Sequence, residues 1–152
     1  MRHGWLALTL ALCAALTACG VNPVTGEKEI QFVSEAQELA IGREQYAPMR
    51  QAEGGDFRVL PELTAYVNGV GQKLAAVSDR PLPYEFVVLD NSVPNAWALP
   101  GGKIAVNRGL LTELTSEAEL AAVLGHEIVH AAARHGAKAQ ERGVMMQAGM
   151  AA

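Results

Sequence analysis

The sequence predicts an α+β fold in which helices dominate and a few short strands form a small sheet. Apolar residues recur at helical spacing over residues 61–77 and 116–135, and aromatic and β-branched residues cluster at 84–89. The 152 residues suffice for one domain and exclude several. With 12 basic against 16 acidic side chains, the chain lacks the positive charge typical of nucleic-acid-binding proteins, so no nucleic-acid partner is expected.

The start of the chain has the layout of a bacterial secretory signal peptide. A short basic stretch, Met1–His3, precedes an apolar run from Trp5 to Leu16. This run is shorter than the roughly 20 apolar residues that a membrane-spanning helix needs. A short buried core helix is the alternative interpretation of the same run.

The end of this leader, Leu16–Thr17–Ala18–Cys19, resembles the lipobox of bacterial lipoproteins. The resemblance implies cleavage before Cys19 and acylation of that cysteine, which would anchor the chain to a membrane. Gly20, which stands where Asp would favour the inner membrane, implies the outer membrane. Because the other cysteine lies in the leader, no internal disulfide is expected in the mature chain.

The predicted division of the chain follows from these features. Residues 1–18 form the lipoprotein signal peptide, 19–33 a tether, and 34–152 the folded part. The tether is assigned because Val21–Glu29 contains the turn-forming pairs Asn-Pro and Thr-Gly.

Two helices are predicted in the first half of the folded part. One begins after Ser34, whose spacing to Gln37 is that of a capping box, and ends near Ala47 because Pro48 follows. The other spans Pro61 to Val77, with the proline suited to its first turn. Its apolar residues recur on one face: Leu63, Val67, Val70, Leu74 and Val77.

Three strands are predicted next. Tyr84–Leu89 is rich in aromatic and β-branched residues. Asn95–Leu99 and Lys103–Val106 are two short apolar segments on either side of a tight turn at Pro100–Gly102. Together they account for the small sheet.

The next helix is predicted from Ser116 to about His135. Glu119 completes a second capping-box pair with Ser116, and Gly136 is placed for the C-cap. The Ala- and Met-rich stretch Ala137–Ala152 is expected to form a further helix.

The helix predicted from Ser116 to about His135 carries the main chemical motif of the sequence. This motif is H-E-x-x-H, formed by His126, Glu127 and His130. Residues four apart on a helix are about 40° apart around its axis, so both imidazoles project from one face. That spacing allows two neutral ring nitrogens to bind one Zn²⁺. Glu127, beside the first histidine, is predicted to act as the general base on a zinc-bound water and to pass its proton to the departing amine.

His135 is expected to lie apart from this pair. It follows His130 by five residues, which places it about 140° around a straight helix. Arg134 and His135 are therefore interpreted as supporting or packing residues, with a direct role as the alternative.

Four stretches, taken in order, resemble one known family: NPVTGEKE, SEAQELAIGREQYAP, NAWALPGGKIAVNRGLL and EAELAAVLGHEIVHAAARH. It is the HExxH zinc metallopeptidase family that contains the CAAX prenyl-protein endopeptidase. The closest branch is that of periplasmic lipoproteins similar to the β-barrel assembly-enhancing protease. The resemblance implies a mainly helical, zincin-like metallopeptidase domain, of which 34–152 is the N-terminal and HExxH-helix part.

The resemblance also implies a substrate site and a location. The segment from Asn95 through Ala96, Trp97 and Ala98 would lie along the active-site cleft, where an edge strand can bind extended polypeptide through its backbone. Unfolded or misfolded envelope proteins are the implied substrates. The implied location is the periplasmic face of the bacterial envelope, with a lipid anchor, at the outer membrane.

One feature departs from the family pattern. The family's third zinc ligand is a glutamate on a later helix, whereas Glu141 is the only acid after His135 and lies too near His130 in sequence. The domain is therefore expected to be truncated at its C-terminus. A peptidase-like lipoprotein that binds unfolded chains without cutting them is the main alternative, and a structural lipoprotein with an accidental motif is a further one.

Overall fold

The computed structural model describes residues 19–149, so the predicted signal peptide lies outside the described part. The expected α+β class is confirmed, with helices dominant and small sheets. In chain order the described elements are β1 (Cys19–Val21), β2 (Lys28–Ile30), α1 (Glu35–Ala52), α2 (Pro61–Ala75), β3 (Glu85–Leu89), β4 (Ala96–Leu99), β5 (Lys103–Asn107), α3 (Arg108–Leu111), α4 (Glu117–Ala132) and α5 (His135–Gln147).

Residues 19–33, expected to be a tether, contain an antiparallel hairpin of β1 and β2. The Asn22 side chain closes its turn by accepting the amide of Val24 at 2.9 Å and that of Thr25 at 3.1 Å. Its Nδ2 also donates to the carbonyl of Ala133, just beyond α4, at 3.3 Å. The local sequence predicts the turn, because Asn-Pro and Thr-Gly are turn-forming pairs. It does not predict this long-range bond, which packs the hairpin on the rest of the fold.

Helix α1 begins as predicted and ends later. The Oγ of Ser34 accepts the Gln37 amide at 3.3 Å, and the Gln37 side chain accepts the Ser34 amide at 2.8 Å. The prediction that Pro48 ends the helix near Ala47 is wrong, because α1 continues to Ala52. Proline removes one helical hydrogen bond, but the last turn is held by Arg50, which pairs with Asp56.

A three-stranded sheet in the order β3–β5–β4 forms the centre of the molecule. All three predicted strands are present. β4 and β5 pair antiparallel through the predicted turn, and β3 pairs with β5 in parallel, an arrangement that the strand sequences alone do not specify. β5 is buried along its whole length, and β4 lies at an edge of the sheet among the described strands.

The sheet is covered on both sides. On one side, α2 and α4 pack against each other and against the strands, and on the other α1 contacts β4 and β5. Helix α2 begins at Pro61 as predicted but ends at Ala75, which leaves Val77 exposed beyond its end. The buried core cluster consists of Val67, Val70, Tyr84, Phe86, Val88, Ile104, Val106, Leu120, Leu124, Ile128 and Ala131.

The predicted helix from Ser116 to His135 is divided in two. Ser116 caps α4 by accepting the Glu119 amide at 3.2 Å, but α4 ends at Ala132. Arg134 then adopts a left-handed conformation, with φ of 61°, and α5 begins at His135. Gly136 therefore does not cap α4. A Cβ at this position would lie 3.0 Å from the Pro100 ring, so the absence of a side chain allows Pro100 to pack close to the backbone.

None of the described helices has the length and apolar character needed to cross a membrane.

Candidate metal centre

The two histidines of the H-E-x-x-H motif face each other on α4. Their Nε2 atoms are 2.9 Å apart, and their ring centroids are 4.5 Å apart with the planes at 76°. His126 is exposed and His130 is partly buried. The rings thus lie on one side of the helix, as the four-residue spacing predicts.

This arrangement fits a zinc ion. Two nitrogens bound to a tetrahedral Zn²⁺ at about 2.0–2.1 Å lie about 3.4 Å apart, close to the observed Nε2 separation. Neutral imidazole nitrogens are ligands that zinc and other transition metals accept. Within residues 19–149, no group of three or more His, Cys, Asp or Glu side chains is arranged to hold a metal. His126 and His130 are therefore the two ligands that the described part can offer.

Glu127 lies next to His126 in sequence and is buried, with 9% of its surface exposed. Burial raises the pKa of its carboxyl above the ordinary value, while the charges of His130 and His126 act in the opposite direction. A desolvated carboxylate is a stronger base than one in water. Glu127 is thus suited to accept a proton close to the two imidazoles.

His135 lies beside His130, contrary to the expectation for a straight helix. The Nδ1 atoms of the two rings are 2.6 Å apart and the centroids 4.7 Å. Partial desolvation, followed by the charge of His130, lowers the pKa of His135. The break at Arg134 produces this contact, and nothing in the local sequence signals a left-handed arginine.

The predicted substrate-binding segment corresponds to Asn95 and the edge strand β4. β4 contacts α4, the helix that carries the histidines. Ala96 and Ala98 pack against the core, whereas Trp97 packs edge-on against Tyr46 with centroids 6.2 Å apart. Asn95 precedes the strand, and its carbonyl accepts the Asn107 amide at 2.9 Å. The side chains of Ala96, Trp97 and Ala98 are half-buried, whereas Asn95 is exposed, and the outer edge of β4 presents the strand's backbone.

The structure also places Cys19 and Glu141, the other two residues considered in the sequence. Cys19 begins β1, where its backbone is opposite Ile30. Glu141 is buried, and its Oε1 accepts the amides of Phe32 at 2.9 Å and Val33 at 2.8 Å. Glu141 therefore holds the segment that leads into α1.

Two imidazoles one helical turn apart, with a buried glutamate beside them and an edge strand next to the helix, define the HExxH class of metallopeptidases. Residues 61–152 match peptidase family M48, and the chain belongs to this family. Peptidases of this family are generally zinc-dependent. The predicted enzyme class, a hydrolase acting on peptide bonds, is confirmed at the level of the family.

Named relatives agree with this assignment. The chain is 38% identical over 120 residues to the mitochondrial metalloendopeptidase OMA1 of Schizosaccharomyces pombe, covering 76% of this chain and 35% of the relative. It is 34% identical over 127 residues to the β-barrel assembly-enhancing protease of Yersinia pestis, covering 83% and 26%. The corresponding protease of Escherichia coli K12 is 31% identical over 143 residues, covering 88% and 29%. The chain thus spans about a third or less of the length of these relatives.

Proposed function

We propose that this chain carries the catalytic helix of a zinc-dependent endopeptidase that cleaves unfolded or misfolded envelope proteins. One observation carries the proposal: the Nε2 atoms of His126 and His130 face each other at 2.9 Å on the helix whose buried acid is Glu127. Within family M48, we assign the chain to the branch of lipoproteins similar to the β-barrel assembly-enhancing protease rather than to the CAAX prenyl-protein endopeptidase itself.

Each residue of the motif has a distinct role. His126 and His130 would hold the metal through Nε2. When bound, zinc supplies Lewis-acid chemistry, which polarises a peptide carbonyl and acidifies water. Glu127 takes the proton from the attacking water and delivers it to the amine that leaves. Its raised pKa supports both halves of this task, since the carboxyl must first accept and then release a proton.

The proposed substrate is extended polypeptide bound along β4. Edge strands bind such chains by backbone pairing, which is largely independent of the substrate's side chains. The contact of β4 with α4 and the inward packing of Ala96, Trp97 and Ala98 support this mode. Unfolded proteins expose continuous backbone, whereas folded ones do not.

N-methylation of alternate peptide bonds in a model substrate is therefore expected to weaken its cleavage more than exchange of its side chains.

The proposed location is the bacterial envelope, with a lipid on Cys19. The support is the sequence of the leader and its lipobox. Changing Cys19 to Ser is expected to leave an uncleaved precursor and to abolish labelling with a radioactive or alkyne-tagged fatty acid. Normal processing of this variant would contradict acylation at Cys19.

The activity is tested with zinc and casein, an unfolded substrate. Glu127→Gln is expected to lower the cleavage rate by at least about 10²-fold while zinc content stays unchanged, because general-base catalysis contributes about 10²–10⁴-fold. Glu113→Gln, which alters an exposed glutamate ahead of α4, is the matched control and is expected to cleave like the wild type. Equal rates in the wild type and Glu127→Gln would remove the catalytic assignment.

A second candidate function is binding without cleavage. It is favoured by the ligand count, since catalytic zinc sites usually have three protein ligands and the residues described at 19–149 offer two. In that case carboxymethylated α-lactalbumin, which is permanently unfolded, would bind and be recovered intact by mass spectrometry. Zinc-dependent fragments that are absent with Glu127→Gln would decide for the enzyme.

A further inference from the structure

We infer that His135 is a positioning residue of the metal centre, which fixes the His130 ring from the side opposite the metal. The contact that carries this inference is the 2.6 Å approach of the two Nδ1 atoms. The inference rests on the proposed function in one respect only, namely that His126 and His130 bind the metal through Nε2.

The geometry separates the two sides of the His130 ring. Its Nε2 faces the Nε2 of His126 at 2.9 Å, and its Nδ1 faces the Nδ1 of His135 at 2.6 Å. Nδ1 and Nε2 point away from each other in imidazole, so one metal cannot bind Nε2 of His130 and also reach the ring that faces Nδ1. His135 is therefore a neighbour of a ligand and not a third ligand, in agreement with the lack of any three-residue metal cluster in the described range.

The contact also selects a tautomer. To bind a metal, Nε2 of His130 must carry no proton, and the neutral ring then has its proton on Nδ1. This N–H donates to the lone pair on Nδ1 of His135. Metal-binding histidines commonly donate their second N–H to a carboxylate or a carbonyl, and such partners fix the orientation of the ring. Here a second imidazole takes that place.

The position of His135 depends on a buried ion pair at the break between α4 and α5. Arg134, left-handed with φ of 61°, donates from Nε to Glu38 Oε2 at 3.0 Å, and its guanidinium also bonds the carbonyl of Val33. Glu38 lies in α1 and is fully buried. Helix α1 thus holds the turn at Arg134, and this turn places the ring of His135 against that of His130.

The test compares two variants. His135→Phe keeps an aromatic ring but has no nitrogen, whereas in His135→Asn the side-chain carbonyl oxygen can take the position of Nδ1 and accept the N–H of His130. Affinities for Zn²⁺ and Co²⁺ are measured on the full chain by competition with a chelator. His135→Phe is expected to bind both metals about 10–100-fold more weakly, and His135→Asn is expected to recover most of that loss. His135 is exposed, so both variants are expected to fold, which far-UV circular dichroism checks.

The Co²⁺ absorption spectrum distinguishes a positioning role from direct ligation. If His135 only positions His130, the visible bands of both variants keep the wild-type energies once the site is saturated. Wild-type affinity in His135→Phe would overturn the inference, as would shifted Co²⁺ bands or a failure of asparagine to rescue. Gln147→Ala, an exposed change near the end of α5, is the control. His126→Ala tests the proposed function separately, because metal binding unaffected by that change would refute the ligand assignment itself.

Discussion

At the scale of single residues, a few side chains join parts of the chain that are far apart in sequence. Glu38 in α1 accepts Arg80 Nη1 at 3.0 Å and Arg134 Nε at 3.0 Å, and it is fully buried. Two guanidinium groups thus share one desolvated carboxylate, and Arg80 has a second partner in the exposed Glu35. Breaking such a cluster is costly because the remaining charges stay buried without compensation.

Changing Glu38 to Gln is therefore expected to lower the free energy of unfolding by about 3–5 kcal/mol. Glu35→Gln is the matched control, since 71% of that side chain is exposed and it contacts Arg80 alone in this cluster. Its expected cost is below about 1 kcal/mol. Urea denaturation of both variants measures the difference, and equal costs would contradict the assigned role of Glu38.

Gly42 and Gly69 provide a second comparison, because both lie within helices. A Cβ on Gly42 would approach the carbonyl oxygen of Pro100 to 1.9 Å, whereas a Cβ on Gly69 meets nothing within 4 Å. Gly69→Ala is expected to stabilise the protein by about 0.5–1 kcal/mol through helix propensity. Gly42→Ala is expected to destabilise it by about 1–3 kcal/mol, because α1 must move off the turn between β4 and β5. Thermal melts that rank the two variants in the reverse order would show that α1 packs differently.

At the scale of elements, local chemistry predicted where several helices start but not where they end. The caps at Ser34 and Ser116 and the proline at Pro61 act within one turn, so the sequence shows them directly. The end of α4 is set by Arg134, whose partner Glu38 lies 96 residues earlier. No periodicity within a helix can reveal such a partner. For the same reason the sequence does not predict the contact of His135 with His130. The spacing of the motif, by contrast, is enough to place His126 and His130 on one face of the helix.

The hairpin of β1 and β2 is held to α5 by a titratable contact. Glu29 accepts Lys138 Nζ at 2.5 Å and Asn22 Nδ2 at 3.0 Å. These hydrogen bonds, that of Lys138 first, lower the pKa of Glu29 below its ordinary value. The folded pKa is lower than the unfolded one, so this contact contributes stability above pH 4.5 and loses it as pH falls through the lowered pKa.

We therefore expect the side-chain amide resonances of Asn22 to titrate in nuclear magnetic resonance spectra with a midpoint below 4.5. In Glu29→Gln the titration disappears, and the neutral spectrum of the hairpin resembles the acid spectrum of the wild type. A midpoint at or above the ordinary value would mean that Glu29 is not held by Lys138.

At the scale of the whole molecule, the N-terminal part of the described chain packs against the helix that carries the candidate metal centre. The family match begins at residue 61, yet the hairpin and α1 lie before it and contact the end of α4 through Asn22 and Glu38. Metal bound by His126 and His130 would stabilise the folded state as a whole, because the unfolded chain has no such preformed pair.

Zinc is therefore expected to raise the melting temperature of the wild type. At a free zinc concentration 100 times the dissociation constant, the gain is about 2.7 kcal/mol, which corresponds to a shift on the order of 10 °C. Glu127→Gln keeps the shift because it retains both ligands, while His126→Ala loses it. Differential scanning fluorimetry with zinc and then with excess chelator measures both effects, and an equal shift in His126→Ala would place the ion elsewhere.

The bond from Asn22 to the carbonyl of Ala133 limits how far the candidate metal centre can lie from Cys19. Cys19 precedes Asn22 by three residues, which is about 10 Å of extended chain, and Ala133 follows His130 by three. If Cys19 carries the proposed lipid, the candidate metal centre is held within a few nanometres of the phospholipid headgroups. Under the proposed function, only polypeptides that pass close to the bilayer surface would then come within reach of this centre.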